Sequence, residues 1–514
     1  MESKKVELNI FRYDPQASLG PHYDRVEVEV DADMPTTVLE LLKRVQQEHL
    51  PDLALSYSCR TGQCGSCTLK INGINRPSCK TMVEGNALAI EPRDNCTIIR
   101  DLVVDTEGDL ERLLEGRTAF RTRRKTPHRV SEEEYEKVSD MRECIECFAC
   151  MSTCPVVKAS SAARGPLTMR GIAQLAFDPR ISDVKNHLTE ALKGGCYLCT
   201  TCQKCTETCD KDINIQKRVR QLRRALYYDK SLYKKLPKNI PLVMDTIKAT
   251  KNILNADNTE RASSWAWLIE DEVDVSSLIN RKAKVGYFVG CVTSFKPSVD
   301  IIAQNAVKIL HQIGEDFTIL GPDEFCCGFP SYLGGVDENF VQHNIKAVSD
   351  LGIETLIFTC PGCYRAFKVN YPERIGGSLP FRVQHFTEYM CDKLDGGLRF
   401  GNKVSMTACY HDPCDLGRHS GVFEAPRRIL TEAGVELIEF ANNRQYADCC
   451  GMGGLLMVAD ADASGKVGVE RIRQAKQTGA PALATACPAC FDQFRRNADG
   501  LDVHEVTDII LKAL

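Results

Sequence analysis

The chain has 514 residues, too many for one hydrophobic core, so several domains are expected. Apolar residues make up 43% and charged residues 26%, with a formal net charge of −4, a balance that gives no case for binding nucleic acid or a membrane surface. The 26 cysteines are the anomaly, and in a chain this long they point to metal sites rather than to the disulfide scaffold of a small secreted domain. The opening stretch MESKKVELNIFRYD lacks the apolar core of a signal peptide, and no window approaches the ~18 apolar residues of a membrane span. A reducing, cytoplasmic setting is therefore expected, with any membrane reached through a partner.

In chain order, RVEVEV (25–30) alternates apolar and polar residues as a half-buried strand does. TTVLELLKRVQQEH (36–49) switches to the helical period after a Pro-Thr start. TLKINGINRP (68–77) holds Asn72-Gly73 between short strands, a hairpin signal. Residues 105–140 are charged and read as an exposed helix and linker. From 141 to about 255 the pattern is helical, broken by two dense cysteine runs. Residues 256–283 read as a connector in which Trp265 and Trp267 serve packing.

From 284 onward strands and helices alternate, and the chain repeats itself. KVGYFVGC (284–291) and SMTACYHDPC (405–414) are apolar runs ending in cysteine. Cys291 to Cys326 spans 35 positions, and so does Cys414 to Cys449. Residues 346–367 and 473–494 then share helix, buried strand, C-P-x-C and an aromatic residue. A duplicated α/β domain accounts for this pattern.

The cysteines fall into groups. Cys59, Cys64, Cys67 and Cys79 give C-x4-C-x2-C with a distal fourth, the plant-type 2Fe–2S spacing. Gly62 and Gly65 let that loop wrap closely and aim N–H groups at sulfur. Zinc is the competing occupant, but its sites usually come as two C-x2-C pairs. Cys96 lies outside the pattern and reads as a small buried residue. Cys144, Cys147, Cys150 and Cys154 form C-x2-C-x2-C-x3-C-P, a run whose fourth cysteine ligates the other cluster. Cys199, Cys202, Cys205 and Cys209 repeat the spacing, with Asp210 in place of proline. The crossed assignment is then Cys144, Cys147, Cys150 and Cys209 for one 4Fe–4S cluster, and Cys154, Cys199, Cys202 and Cys205 for the other. Cys196 sits three before Cys199 and competes as a ligand, but only the register from Cys199 ends in x3-C, so Cys196 is read as structural.

Each C-terminal repeat offers five cysteines: Cys291, Cys326, Cys327, Cys360 and Cys363, then Cys414, Cys449, Cys450, Cys487 and Cys490. Five is one more than a cubane or a zinc ion needs. The lone cysteine and the C-P-x-C pair each follow a strand, so they should converge at the carboxyl edge of a parallel sheet. The residues themselves leave open a second reading, in which the CxxC pairs bind zinc and the CC pairs are buried thiols.

Residues 1 to about 250 resemble the iron–sulfur subunit of succinate dehydrogenases and fumarate reductases, on CRTGQCGSCTLKINGINRPSC, CIECFACMSTCP and CTTCQKCTETC. Many members of that family replace the residue at Cys202 and carry a 3Fe–4S centre; with Cys202 present, 4Fe–4S is expected. Residues 284–514 resemble the duplicated CCG domains of heterodisulfide reductases, on Cys291, CCG and CPGC, then HDPC, CCGMGG and CPAC. That resemblance implies a non-cubane 4Fe–4S cluster on each set of five cysteines. Relatives often read HDPCH where this chain has Asp415 after Cys414. The fusion of both halves resembles the thiol:fumarate reductases of methanogens.

The resemblance implies a multidomain fold: an N-terminal β-grasp 2Fe–2S ferredoxin domain (1–105), an α-helical dicluster 4Fe–4S ferredoxin domain (106–255), a linker (256–283) and duplicated α/β CCG domains (284–398 and 399–514). It implies an oxidoreductase subunit that oxidises coenzyme M and coenzyme B thiols and passes electrons to a flavoprotein that reduces fumarate to succinate. FAD is expected only in that partner, since GMGG (451–454) follows a CC pair rather than a strand-to-helix turn. A larger heterodisulfide reductase-type complex is a further candidate partner, and nucleic acid is not. His385, His411, Asp412, Asp415 and His419 are candidates for handling protons, but each reads first as structural and none is assigned a catalytic role. Two other readings stand beside this one: the electron-transfer subunit of a succinate dehydrogenase or fumarate reductase using a quinone or other carrier without thiol chemistry, and a non-enzymatic adaptor docking a fumarate reductase onto a larger bifurcating complex.

Overall fold

A computed structural model describes residues 3–118, 120, 129–337 and 340–514. Two units emerge, Met1–Cys196 with Gln203–Leu222, and Tyr197–Cys202 with Arg223–Leu514.

In the first unit, β1 (Ser3–Arg12), β2 (His22–Asp31), β3 (Thr68–Ile71), β4 (Ile74–Pro77) and β5 (Ala87–Glu91) form one sheet in the order β2-β1-β5-β3-β4. Alternation in β1 and β2 sends Val6, Leu8, Ile10, Val28 and Val30 to one face, where they meet Leu41, Leu42 and Val45 of the helix Val38–Glu48. Thr37 starts that helix by accepting the Glu40 N–H on its hydroxyl. Asn72 and Gly73 both take positive φ, the geometry a two-residue hairpin needs between β3 and β4. The short pair β6 (Ile98–Arg100) and β7 (Val103–Val104) follows. The charged segment after it is less exposed than expected. Helix Glu107–Glu115 buries Leu113 and Asp109, and Asp109 accepts from Arg93, which also donates to Ser152 in the helical part of the unit. The stretch 121–128 lies outside the described residues.

The second unit contains two four-stranded parallel sheets. The first joins β8 (Val285–Phe288), β9 (Phe317–Ile319), β10 (Thr355–Phe358) and β11 (Arg382–His385) in the order β11-β10-β8-β9. The second joins β12 (Met406–His411), β13 (Val435–Ile438), β14 (Ala482–Thr485) and β15 (Asp502–Glu505) in the order β13-β12-β14-β15. Read from its first strand, each sheet has the same order, second-first-third-fourth, so the duplication in sequence is a duplication in topology. The chain reverses its winding between the first and third strands, and ligand sites of open α/β sheets lie at the carboxyl ends beside that reversal. Segment 256–283 does more than connect. Trp265 is fully buried, and its Nε1 donates to the Arg261 carbonyl. Trp267 does not pack as expected: it is 63% exposed. Among the described residues, no helix is long and apolar enough to cross a membrane.

Candidate metal centres

The loop 59–67 curls because Gly62 and Gly65 hold φ near +76° and +70°, a region side chains avoid. The curl turns N–H groups inward: Thr61 and Gln63 donate to Cys59 Sγ at 3.4 and 3.3 Å, and Cys59 donates to Cys64 Sγ at 3.4 Å. These donors hold the Cys59 thiol down at about 6. Cys79 reaches Cys67, while burial pushes its thiol up to about 11. The four cysteines thus gather, with Cys64 the exposed one. A Cβ on Gly65 would lie 2.5 Å from Cys147 Cα, so this glycine lets the loop rest directly on the next cysteine run.

In that run Cys144, Cys147, Cys150 and Cys209 line one small cavity of about 30 Å³, closed by Ile145, Phe148, Leu167, Ile213 and Ile215. Burial pushes Cys147 and Cys150 upward, so thiols here stay protonated unless a cation compensates. Cys154 and Cys205 belong to the first unit; Cys199 and Cys202 belong to the second. Cys196 donates to the Val219 carbonyl and is fully buried, and Cys96 donates to the Asp94 carbonyl.

In the second unit the strands deliver the remaining cysteines. Cys291 follows β8 and Cys360 follows β10, neighbouring strands in register; Cys414 and Cys487 stand likewise beyond β12 and β14. In the first repeat the thiols form a continuous series of side-chain contacts, Cys291–Cys326–Cys327–Cys363–Cys360. The second repeats it as Cys414–Cys449–Cys450–Cys490–Cys487, with Cys490 Sγ 3.3 Å from Cys450 Sγ. Cys327 and Cys450 are each pushed down by donation from two neighbouring thiols. Cys202 also touches Cys449, so the second series extends to the ferredoxin-like run.

Nine of these ten cysteines line a single cavity of about 260 Å³ between the repeats. Its wall is apolar, with Phe329, Leu333, Met452 and Met457, and Asp415 is the one charged residue among the described lining. Asp415 pairs with Arg365 at 2.7 Å. Sulfur donors at this density, in apolar surroundings and with no disulfide partner among the described residues, fit iron–sulfur groups. The zinc reading accounts less well for them, because it leaves the CC thiols with no part in the contact series.

Sequence reasoning passed over several arginines. Arg261, in the supposed connector, pairs with the fully buried Glu324 at 2.8 Å and sets Nη2 3.6 Å from Cys291 Sγ. Glu324 in turn accepts from the Val289 and Gly290 N–H groups just before Cys291. Arg223 donates to the carbonyls of Cys199, Leu333 and Gly454, and Arg418 to those of Cys202, Gln445 and Ala447. Nothing in their local sequence, DNTERASS, RVRQLRRAL and DLGRHSG, sets them apart from surface arginines. Of the histidines and acids considered, His385 bonds Thr387 and the Thr359 carbonyl, His419 bonds the Thr201 carbonyl, and Asp412 pairs with Arg427.

Comparisons agree with this layout. Residues 7–111 match the 2Fe-2S iron-sulfur cluster binding domain, 140–213 the 4Fe-4S dicluster domain, and 285–368 and 408–495 the cysteine-rich domain. A component of the fumarate reductase (CoM/CoB) of Methanothermobacter marburgensis is 29% identical over 489 residues, covering 94% of this chain and 93% of that one. An uncharacterized iron–sulfur protein of Methanocaldococcus jannaschii is 31% identical over 494 residues, covering 93% and 95%. A component of the dihydromethanophenazine:CoB–CoM heterodisulfide reductase of Methanosarcina barkeri is 28% identical over 411 residues, covering 74% and 95%.

Proposed function

This chain belongs to the family of fused iron–sulfur proteins that includes this component of the CoM/CoB fumarate reductase, and from that premise we propose that it is the thiol-oxidising, electron-carrying part of such a reductase. The observation that carries the reading is the pair of five-thiol series opening on one apolar cavity. Cys59, Cys64, Cys67 and Cys79 would hold a 2Fe–2S cluster. Cys144, Cys147, Cys150 and Cys209 would hold one cubane, and Cys154, Cys199, Cys202 and Cys205 the other. The two sets of five would hold non-cubane 4Fe–4S clusters, within domain limits at 1–105, 106–255, 284–398 and 399–514. When bound, such clusters supply one-electron storage and iron sites for substrate sulfur.

The chain's own residues do the rest. Coenzyme M and coenzyme B thiols would enter the cavity, lose two protons and two electrons, and leave as the heterodisulfide. Fumarate on a separate FAD-carrying flavoprotein takes up two electrons and two protons to become succinate. The apolar wall excludes water from the reacting sulfurs. The glycine contacts, Gly454 on Thr200 and Gly65 on Cys147, keep successive cysteine loops close, which favours electron passage between them.

The test is fumarate reduction by the anaerobically purified complex with its flavoprotein, with both thiols supplied together and singly. Activity that needs both supports the reading. Dye-driven activity indifferent to thiols would instead mark a protein serving a quinone or another carrier.

A further inference from the structure

The two five-cysteine sites have the same spacing but different surroundings at one position. β8 of the first repeat ends on Phe288, which packs against Phe358 and Phe367. The corresponding end of β12 is His411, fully buried at 1% exposure. One of its ring nitrogens lies within 4.8 Å of both Cys450 Sγ and Cys490 Sγ. Its ring meets Phe494 edge-on at 4.8 Å between centroids, which fixes its plane.

The two ring nitrogens are distinguishable. Arg471, itself 1% exposed, donates through Nε to His411 Nδ1 at 3.2 Å. Guanidinium has no lone pair to offer, so Nδ1 must accept, and an imidazole that accepts at Nδ1 carries its proton on Nε2. Nε2 has no hydrogen-bond partner among the described residues. A buried N–H without an acceptor is costly, so the fold retains it against a penalty. The same tautomer argues against coordination, because Nε2 cannot offer a lone pair to iron while it carries the proton. Arg471 stacks on Phe440 at 3.6 Å from the ring centroid and donates to Gln474, so it is held independently of the histidine.

We propose that, with the cluster bound, His411 donates a hydrogen bond from Nε2 to a sulfur of the Cys450–Cys490 pair, and that Arg471 at Nδ1 locks the neutral ring in that role. It is a positioning residue that tunes this site and has no counterpart in the first repeat. The inference rests on the reading that the second five-cysteine set holds a cluster. A donor to thiolate sulfur stabilises the more negative, reduced state, so His411 makes the second cluster easier to reduce.

The experiment is a redox titration of the anaerobic full-length protein followed by electron paramagnetic resonance, with iron counted in each sample. His411→Phe, which installs the residue of the first repeat, should lower the midpoint potential of one non-cubane signal and leave the other unchanged. His411→Gln, whose amide can still donate, should restore most of the shift. Arg471→Gln, which releases Nδ1 without touching the cysteines, should lower the same signal by a smaller amount. Unchanged potentials in all three variants at full iron content would overturn the role of His411 alone. Strong nitrogen coupling typical of iron-bound imidazole in the wild type would overturn it in favour of ligation. Absence of any second non-cubane signal from the wild type would overturn the cluster reading and this inference together.

Discussion

The two cysteine-rich repeats share topology and cysteine spacing but solve the same local problem differently. In the first, the chain enters its site through Val289-Gly290, whose N–H groups are buried and need an acceptor; Glu324 supplies it, and Arg261 neutralises Glu324. In the second, the matching positions are Asp412-Pro413. Proline has no N–H to satisfy, and the position matching Glu324 is Ala447. There Arg418 binds the Ala447 carbonyl and, with the same guanidinium, the Cys202 carbonyl. After the CC pair the first repeat reads GFPS and forms helix Phe329–Gly334, whereas the second reads GMGG and lies against Cys199 and Thr200. The difference teaches that the cysteine set is constrained by sulfur geometry, while its surroundings diverged according to which repeat meets the ferredoxin-like run.

Exchanging ligands gives the sharpest test of that comparison. Cys326→Ser should remove the spectrum of the first non-cubane cluster and leave the second, and Cys449→Ser should do the reverse. Because Cys449 also touches Cys202, the second variant should additionally perturb a cubane signal, and the first should not. If neither serine variant altered any signal, the five-cysteine reading would fail.

Next in size is the buried ion pair. Arg261→Ala leaves the Glu324 carboxylate uncompensated in the interior and should cost about 3–5 kcal/mol in chemical denaturation followed by circular dichroism. A double variant that also carries Glu324→Gln should recover part of the loss, since the remaining group is uncharged. A loss below about 1 kcal/mol for the single variant would mean that the pair does not organise the first repeat.

Gly454→Ala places a Cβ against the Cys199 carbonyl and 2.6 Å from Thr200 Cα, in a left-handed backbone conformation. Strain and overpacking together should cost about 2–4 kcal/mol and slow electron transfer into the second site. Ser331→Ala, at the matching position of the first repeat, should leave transfer unchanged in stopped-flow reduction.

The smallest effect concerns pH. His504 on β15 lies 3.2 Å from Asp508 and 3.0 Å from Asp502, and the Asp508 hydrogen bond raises its pKa. The protonated ring is therefore favoured by folding. Its contribution is complete below the unfolded histidine value near ~6.5 and is lost as pH rises through the raised folded value. Partial exposure limits it to about 0.5–1 kcal/mol. The first repeat has Gln384 at this position, so His504→Gln should flatten the dependence, measurable as melting temperature against pH.

Much of this was legible in sequence because it rests on short-range rules. Alternation marks β2, Thr37 marks a helix start, Asn72-Gly73 marks a hairpin, and equal cysteine intervals mark the repeat. What escaped depends on contacts between distant segments. Arg261 sits 63 residues from Glu324, and nothing in its neighbourhood separates it from a surface arginine. His411 reads as an ordinary histidine beside an aspartate until Arg471, 60 residues on, is seen to fix its tautomer. Trp265 and Trp267 share one composition and one expectation, yet their short helical turns send one inward and leave the other in water.

The gradient of thiol exposure along the chain has a consequence for maturation. Cys64 is open to solvent, whereas eight of the ten thiols in the two repeats are buried and the other two only partly accessible. A scaffold protein could still deliver iron and sulfide to the first loop after folding is complete. In the paired repeats iron and sulfide would have to pass through the cavity that the thiols line, a longer route than to the open loop. Reactivity of cysteine follows exposure and thiolate character, so in a partly matured protein the loop that carries Cys59, held down at about 6, and the open Cys64 is the first sulfur site that air reaches.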